Sequence, residues 1–428
     1  MPTDTQKKFE LTVIGAGMAG MAAALYAADR GLSTAIAGSS AEIIFASGYI
    51  DLLGVHPVAD KRIWDNPWTG IESLVKKRPL HPYARVHRQA IGESIDSFIG
   101  FLEKAGLSYR RKKNRNVKVI SPMGTVKPTY GVPRTMWNAV AAYEKKSPCL
   151  IVQLDGLKGF SARLIAETLK PVWPDLKPVR ISYPDAGRRS ELYTERIANE
   201  LELAANREKF ARQVRPHIGH SQAVAIPAIC GLYQTDEVFA DLQQRLGVPV
   251  FEIPTMPPSV PGLRIKVAAE KQLASKGVHT FFHQNVLRAR RHRKRGFVLE
   301  VGSGNAVQSV SSDAVILASG RFLGRGLHAE RKRIRETVFG LPVYQPGKRS
   351  KWHRMEFLDP GGHPINRAGL EIDESFRPLN GAGRPAHPLL FAAGSILAHQ
   401  DWMRQKCGGG LALATAFGAV NACLQLRG

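Results

Sequence analysis

LTVIGAGMAGMAAALYAADRG, residues 11–31, is the stretch whose reading decides the fold. Leu11, Val13 and Ile14 flank Thr12 as a short apolar strand, and Met21 to Ala28 is rich in strong helix formers. Between them lie Gly15, Gly17 and Gly20 in the spacing GxGxxG. In a strand-turn-helix setting, Gly15 permits the tight turn, Gly17 lets the backbone approach a phosphate, and Gly20 brings the helix close to the strand. The exposed N–H groups and positive dipole of the helix start then favour negative phosphate oxygens.

Outward from this unit, Gly31 to Ala37 reads as a second parallel strand, completing about thirty residues of a βαβ pattern. Nucleotide folds usually end that strand on an acid that holds a ribose; here Gly38-Ser39-Ser40 follows instead. Asp313 to Gly320 is a second apolar run ending in a small-residue turn, and Pro388 to Ser395 is a third. Gly408-Gly409-Gly410 opens a C-terminal helix. Each such turn places backbone at the carboxyl edge of a sheet, where α/β proteins bind ligands. Three in this order point to a flavin. VLRARRHRKRGFVLEV reads as a hairpin whose basic run is a solvated turn.

The chain has 428 residues, 44% hydrophobic and 22% charged, the composition of a globular protein with room for more than one core. No run of ~18 uninterrupted apolar residues predicts a membrane span, and no secretory signal is expected. Cys149, Cys230, Cys407 and Cys423 lack the spacing of a metal or iron–sulfur site, so no metal is expected. A net charge of +24 suits anionic surfaces or ligands, whereas the scarcity of aromatics among the basic residues argues against nucleic acid. The expected architecture is α/β, a Rossmann-like flavin-binding domain with an inserted α+β cap. The flavin domain is drawn from residues 1–60, 260–330 and 386–428, the cap from 61–259 with a return segment at 331–385.

The turns at Gly15 to Gly20, Ala318 to Gly320 and Ala392 to Ser395 resemble those of flavoproteins of the succinate dehydrogenase and fumarate reductase type. Within that group, Ala46 to Leu53, Pro254 to Val260, Gly326 to Arg331 and Cys407 to Gly410 resemble the B subunits of anaerobic glycerol-3-phosphate dehydrogenases. The resemblance implies a flavin subunit, assigned FMN, working with an FAD-containing A subunit and a membrane-bound iron–sulfur C subunit. Together these oxidise sn-glycerol 3-phosphate to dihydroxyacetone phosphate and pass electrons to quinone. It further implies a cytoplasmic chain, peripheral on the inner face of the cell membrane. The glycine at 38 suits FMN, which has no adenosine ribose; the full glycine pattern, normally used on a pyrophosphate, keeps FAD as the alternative.

The expected cofactor contacts are Gly15, Gly17, Gly20, Ser47, Gly48, Ser319, Gly320, Gly394, Ser395, Gly408, Gly409 and Gly410. Arg331 and Arg335, four apart and on one face if helical, are expected to hold the substrate phosphate. Asp401 is the expected proton acceptor, with His81 the second candidate. The other reading is a stand-alone FAD-dependent oxidoreductase acting on another anionic substrate.

Overall fold

The computed structural model describes residues 7–39, 41–184, 191–292, 296–303 and 306–427. Ser40 and the basic residues Arg293, Lys294 and Arg295 lie outside them. The chain divides into two compact units, one of Met1–Glu42, Asp51–Gly100 and Ala269–Gly428, the other of Ile43–Ile50 and Phe101–Ala268.

In the first unit, strand Lys7–Ile14 lies parallel between Thr34–Gly38 and Ala306–Leu317. His279–Phe282 adds outside Thr34–Gly38, and Leu390–Ala392 adds beside the end of Ala306–Leu317, both parallel. Asn285–His292 and Gly296–Ser303 form the expected hairpin, and Gly296–Ser303 pairs antiparallel onto the earlier part of Ala306–Leu317, giving a seven-stranded sheet. Helix Met18–Asp29 is buried at nine of its twelve positions, which is why its sequence is apolar all round rather than striped. It packs against the C-terminal helix Gly408–Arg427, where the Tyr26 and Phe417 rings meet edge to face at 5.3 Å. That C-terminal helix is the one element among the described residues long and apolar enough to cross a membrane, although no uninterrupted apolar run announces it. Its apolar window is 67% buried inside the protein, so its hydrophobicity is spent on the core.

The second unit carries a four-stranded parallel sheet in the order Val250–Ile253, Ala223–Pro227, Cys149–Leu154, Leu176–Ile181. Two short antiparallel pairs accompany it, Tyr109–Arg110 with Val132–Pro133 and Val117–Ile120 with Val126–Thr129. Its core draws on Ile151, Val152, Phe210, Val224 and Phe251.

The chain divides at other positions than the composition suggested. Residues 61–100 and 331–385, expected in the cap, belong to the first unit, and Ile43–Ile50 to the second. Single hydrogen bonds show why: Tyr26 Oη donates to Ser94 O at 2.6 Å and Tyr83 Oη to Leu52 O at 2.7 Å, fastening this helical segment onto the nucleotide fold.

Candidate functional site

The parallel register sets Ile14 level with Ala37 on one side and Leu317 on the other, and Leu317 level with Ala392. The four strands consequently end on one line, and each runs into a small-residue turn: Gly15, Gly38, Ser319-Gly320 and Gly394-Ser395. Gly15 N donates to Ala37 O, Ala318 N to Ile14 O and Ala393 N to Leu317 O, so backbone bonds hold the turns at one level.

Gly15 has φ +110°, and a Cβ there would sit 2.3 Å from Ala318 O; one on Gly20 would sit 1.8 Å from Gly15 O. Both glycines are thus demanded by close packing between turns. Gly17 is the N-cap of Met18–Asp29 with no side-chain cap and no acid in the first turn. Its helix start is left with amide donors for an anion, as a phosphate requires. Gly38 has φ +147°, and a Cβ there would lie 2.9 Å from Gly15 Cα. The glycine at 38 therefore has a packing cause, independent of which flavin is bound.

Gly394, φ +79°, lies against Ala19, where its Cβ would be 2.5 Å from the Ala19 Cβ, and its N–H donates to Thr415 Oγ1 on the C-terminal helix. Gly408 to Gly410 open that helix with no acid in the first turn, and Gly410 N donates to Asp51 O. The Ser319 Oγ is buried with no hydrogen-bond partner. A buried hydroxyl left open beside the glycine turns fits the polar edge of a flavin, so this donor set accommodates the group the turns predict. Ser47 and Gly48 belong to the second unit. There Gly48 has φ +86° against Pro261, and its carbonyl accepts from Tyr109 Oη.

Arg321 gave no signal in the sequence beyond being one of several arginines. Its Nε donates to Ser395 O at 2.7 Å, one terminal nitrogen to Gln400 O at 2.8 Å and the other to Asn366 O. Burial pushes the guanidinium down to about 10, with Asp401 and Cys407 opposing, so it remains a cation at neutral pH. It ties Asn366 to the stretch from Ser395 to Gln400 through three carbonyls.

Arg331 and Arg335 do not share a helix face. The segment is a hairpin, Leu327–Ala329 against Ile334–Glu336, because Ile334 and Leu327 are drawn into the core while the basic residues between them turn outward. Both arginines are exposed, and Arg335 pairs with Glu330 at 3.1 Å. Asp401 caps the turn Trp402–Gln405: its carboxylate accepts from Arg404 N and Asn366 Nδ2 and faces the Arg404 guanidinium at 3.7 Å. That is positioning work. His81 is fully buried; its Nδ1 accepts from Tyr83 N and its Nε2 meets Gln405 Oε1 at 3.4 Å. Burial pushes it down to about 3, so it is neutral, with both ring nitrogens engaged. Burial likewise pushes the Cys407 thiol well up, leaving it an inert core residue.

The model of a family described as FAD binding domain matches residues 10–411, nearly the whole chain, and the protein belongs to that family of flavoproteins. Among named relatives, the B subunit of the anaerobic glycerol-3-phosphate dehydrogenase of Vibrio vulnificus is 29% identical over 433 residues, covering 98% of this chain and 97% of the relative. The protein of the same description from Vibrio cholerae is 28% identical over 431 residues, covering 97% and 96%. A crystal structure of 3-ketosteroid delta1-dehydrogenase from Sterolibacterium denitrificans aligns with 98% of this chain and 100% of that one, at 12% identity and a TM-score of 0.45.

Proposed function

We propose that this chain is the flavin-carrying B subunit of an anaerobic, quinone-linked glycerol-3-phosphate dehydrogenase, working with an FAD-containing A subunit and a membrane-bound iron–sulfur C subunit. The observation that carries this reading is the line of glycine turns at the ends of four parallel strands, in a chain similar over almost its full length to proteins of that description. Bound flavin supplies a two-electron acceptor. The chain's own part is electrostatic: the buried cation Arg321, whose Nε donates to Ser395 O, favours negative charge at the Ser395 turn.

Addition of glycerol 3-phosphate to the isolated holoprotein is expected to bleach the flavin absorption band if this chain oxidises substrate itself. Bleaching only with the A subunit present identifies a relay, and none in the complete complex overturns the assignment. We assign the cofactor as FMN, because Ser39, the exposed residue just past the end of the second strand, is not an acid for an adenosine ribose. Released cofactor is expected to have the mass of FMN; the mass of FAD refutes this.

We further propose peripheral attachment to the inner face of the membrane. Met355, Phe357 and Leu358 are 98%, 84% and 82% exposed, beside the buried Trp352 and the cations Lys348, Arg349, Lys351 and Arg354. Apolar side chains flanked by cations suit an anionic bilayer surface. Replacing the three apolar residues by Ser is expected to cut binding to anionic vesicles at least tenfold, and high salt to weaken the wild type. Equal binding by the triple variant removes this loop from the account.

A further inference from the structure

Arg321 follows directly on the Ser319-Gly320 turn, and its guanidinium reaches the Gly394-Ser395 turn, where Nε donates to Ser395 O at 2.7 Å. Two of the four turns at the strand ends are therefore joined by one cation. Its terminal nitrogens donate to Asn366 O and, at 2.8 Å, to Gln400 O. All three acceptors are neutral carbonyls. They satisfy N–H groups without cancelling the charge, and among the described residues Arg321 forms no ion pair.

The charges beside it do not balance. Asp401, next in sequence to Gln400, favours the charged form of Arg321, but its carboxylate also faces the Arg404 guanidinium at 3.7 Å. Two guanidiniums thus share one carboxylate. Cys407, the other titratable group beside Arg321, keeps its proton because burial pushes the thiol well up, so it brings no negative charge. One positive charge is left over on a half-buried residue, where water and salt screen it less than at the surface.

A fixed cation favours whatever gains negative charge beside it. Two electrons and one proton added to a flavin ring leave one negative charge, and the buried Ser319 Oγ, two residues before Arg321, is the open polar contact for that cofactor on the same turn. We propose that Arg321 raises the reduction potential of the bound flavin through the charge that its three carbonyl partners leave uncancelled, and that Asp401 opposes it. This deepens the electrostatic reading above; it needs a flavin at the turns and is independent of the substrate that reduces it.

The test is the midpoint potential of the flavin in the full-length, flavin-loaded chain, reduced with dithionite against redox dyes at neutral pH, with thermal melts beside it. Arg321→Gln is expected to weaken the reduction equilibrium at least tenfold, which is about 30 mV for a two-electron couple. Arg321→Lys keeps the charge but loses the fork that reaches three carbonyls, so it is expected to melt as low as Arg321→Gln yet to recover at least half of the shift in potential. Asp401→Asn keeps an oxygen for the cap and removes the opposing charge, and is expected to move the potential upward, by about threefold or more in the same equilibrium. Opposite signs follow from charge and not from loosened packing. An unchanged potential in Arg321→Gln, or an equal fall in Arg321→Lys, overturns the assignment. If neither Arg321 variant binds flavin, Asp401→Asn decides, and a potential at or below that of the wild type overturns it. Because no substrate enters the measurement, a chain that shows these shifts without oxidising glycerol 3-phosphate supports the inference and removes only the dehydrogenase reading.

Discussion

Gly20→Ala is expected to yield protein without flavin and with a collapsed melting transition. The added methyl would stand 1.8 Å from Gly15 O, a backbone atom held by the bond from Gly15 N to Ala37 O, so no side chain can move aside. Either the helix Met18–Asp29 shifts off the sheet or the Gly15 turn opens, and both break the line of strand ends. A loss of at least about 4 kcal/mol is expected, the range reserved for a core that cannot accommodate its residue. Gly17→Ala is the informative companion. Gly17 has φ −78°, which any residue adopts, so its stability is expected to stay close to wild type while flavin affinity falls, because the methyl stands where a phosphate approaches. Thermal melts and flavin content of the two proteins check this. Normal flavin loading in Gly20→Ala refutes the packing account; normal loading in Gly17→Ala removes the phosphate from that helix start.

Glu252→Gln is expected to destabilise the second unit by about 3–5 kcal/mol, as for a buried pair that loses one charge. Glu252 is almost wholly buried; its carboxylate takes Arg264 at 2.6 and 2.9 Å and also accepts from Ile229 N at 2.7 Å and Cys230 N at 2.6 Å, while Arg264 Nε donates to Gly231 O. Burial alone would raise the Glu252 carboxyl, but the Arg264 guanidinium and the amide of Cys230 outweigh it and hold the value below the ordinary range. A depressed carboxyl contributes stability that is complete above its unfolded value, about 4.3, and is lost as pH falls through the lower folded value. Urea midpoints should therefore drop steeply for the wild type on acidification and less so for Glu252→Gln. An unchanged midpoint at neutral pH in the variant refutes the assignment.

Much of the flavin fold was legible because its signals are local. Gly15, Gly17 and Gly20 lie within six residues between a strand and a helix, and Asp313 to Gly320 and Leu389 to Ser395 are each one apolar run with its turn. The hairpin carrying Arg331 and Arg335 was not, since two cations four apart suit a helix as well as a strand reversal, and burial of Leu327 and Ile334 decided between them. Arg321 was illegible for another reason: its partners are the carbonyls of Asn366, Ser395 and Gln400, and a carbonyl is present at every residue.

By itself the sequence determined that the chain folds around glycine turns at strand ends and holds a flavin, because those turns need residues without side chains at set spacings. Only the tertiary structure decided which units residues 61–100 and 331–385 join and why position 38 must be glycine. Those depend on contacts between segments distant in the chain, as Tyr26 and Ser94 are, and no local spacing records them.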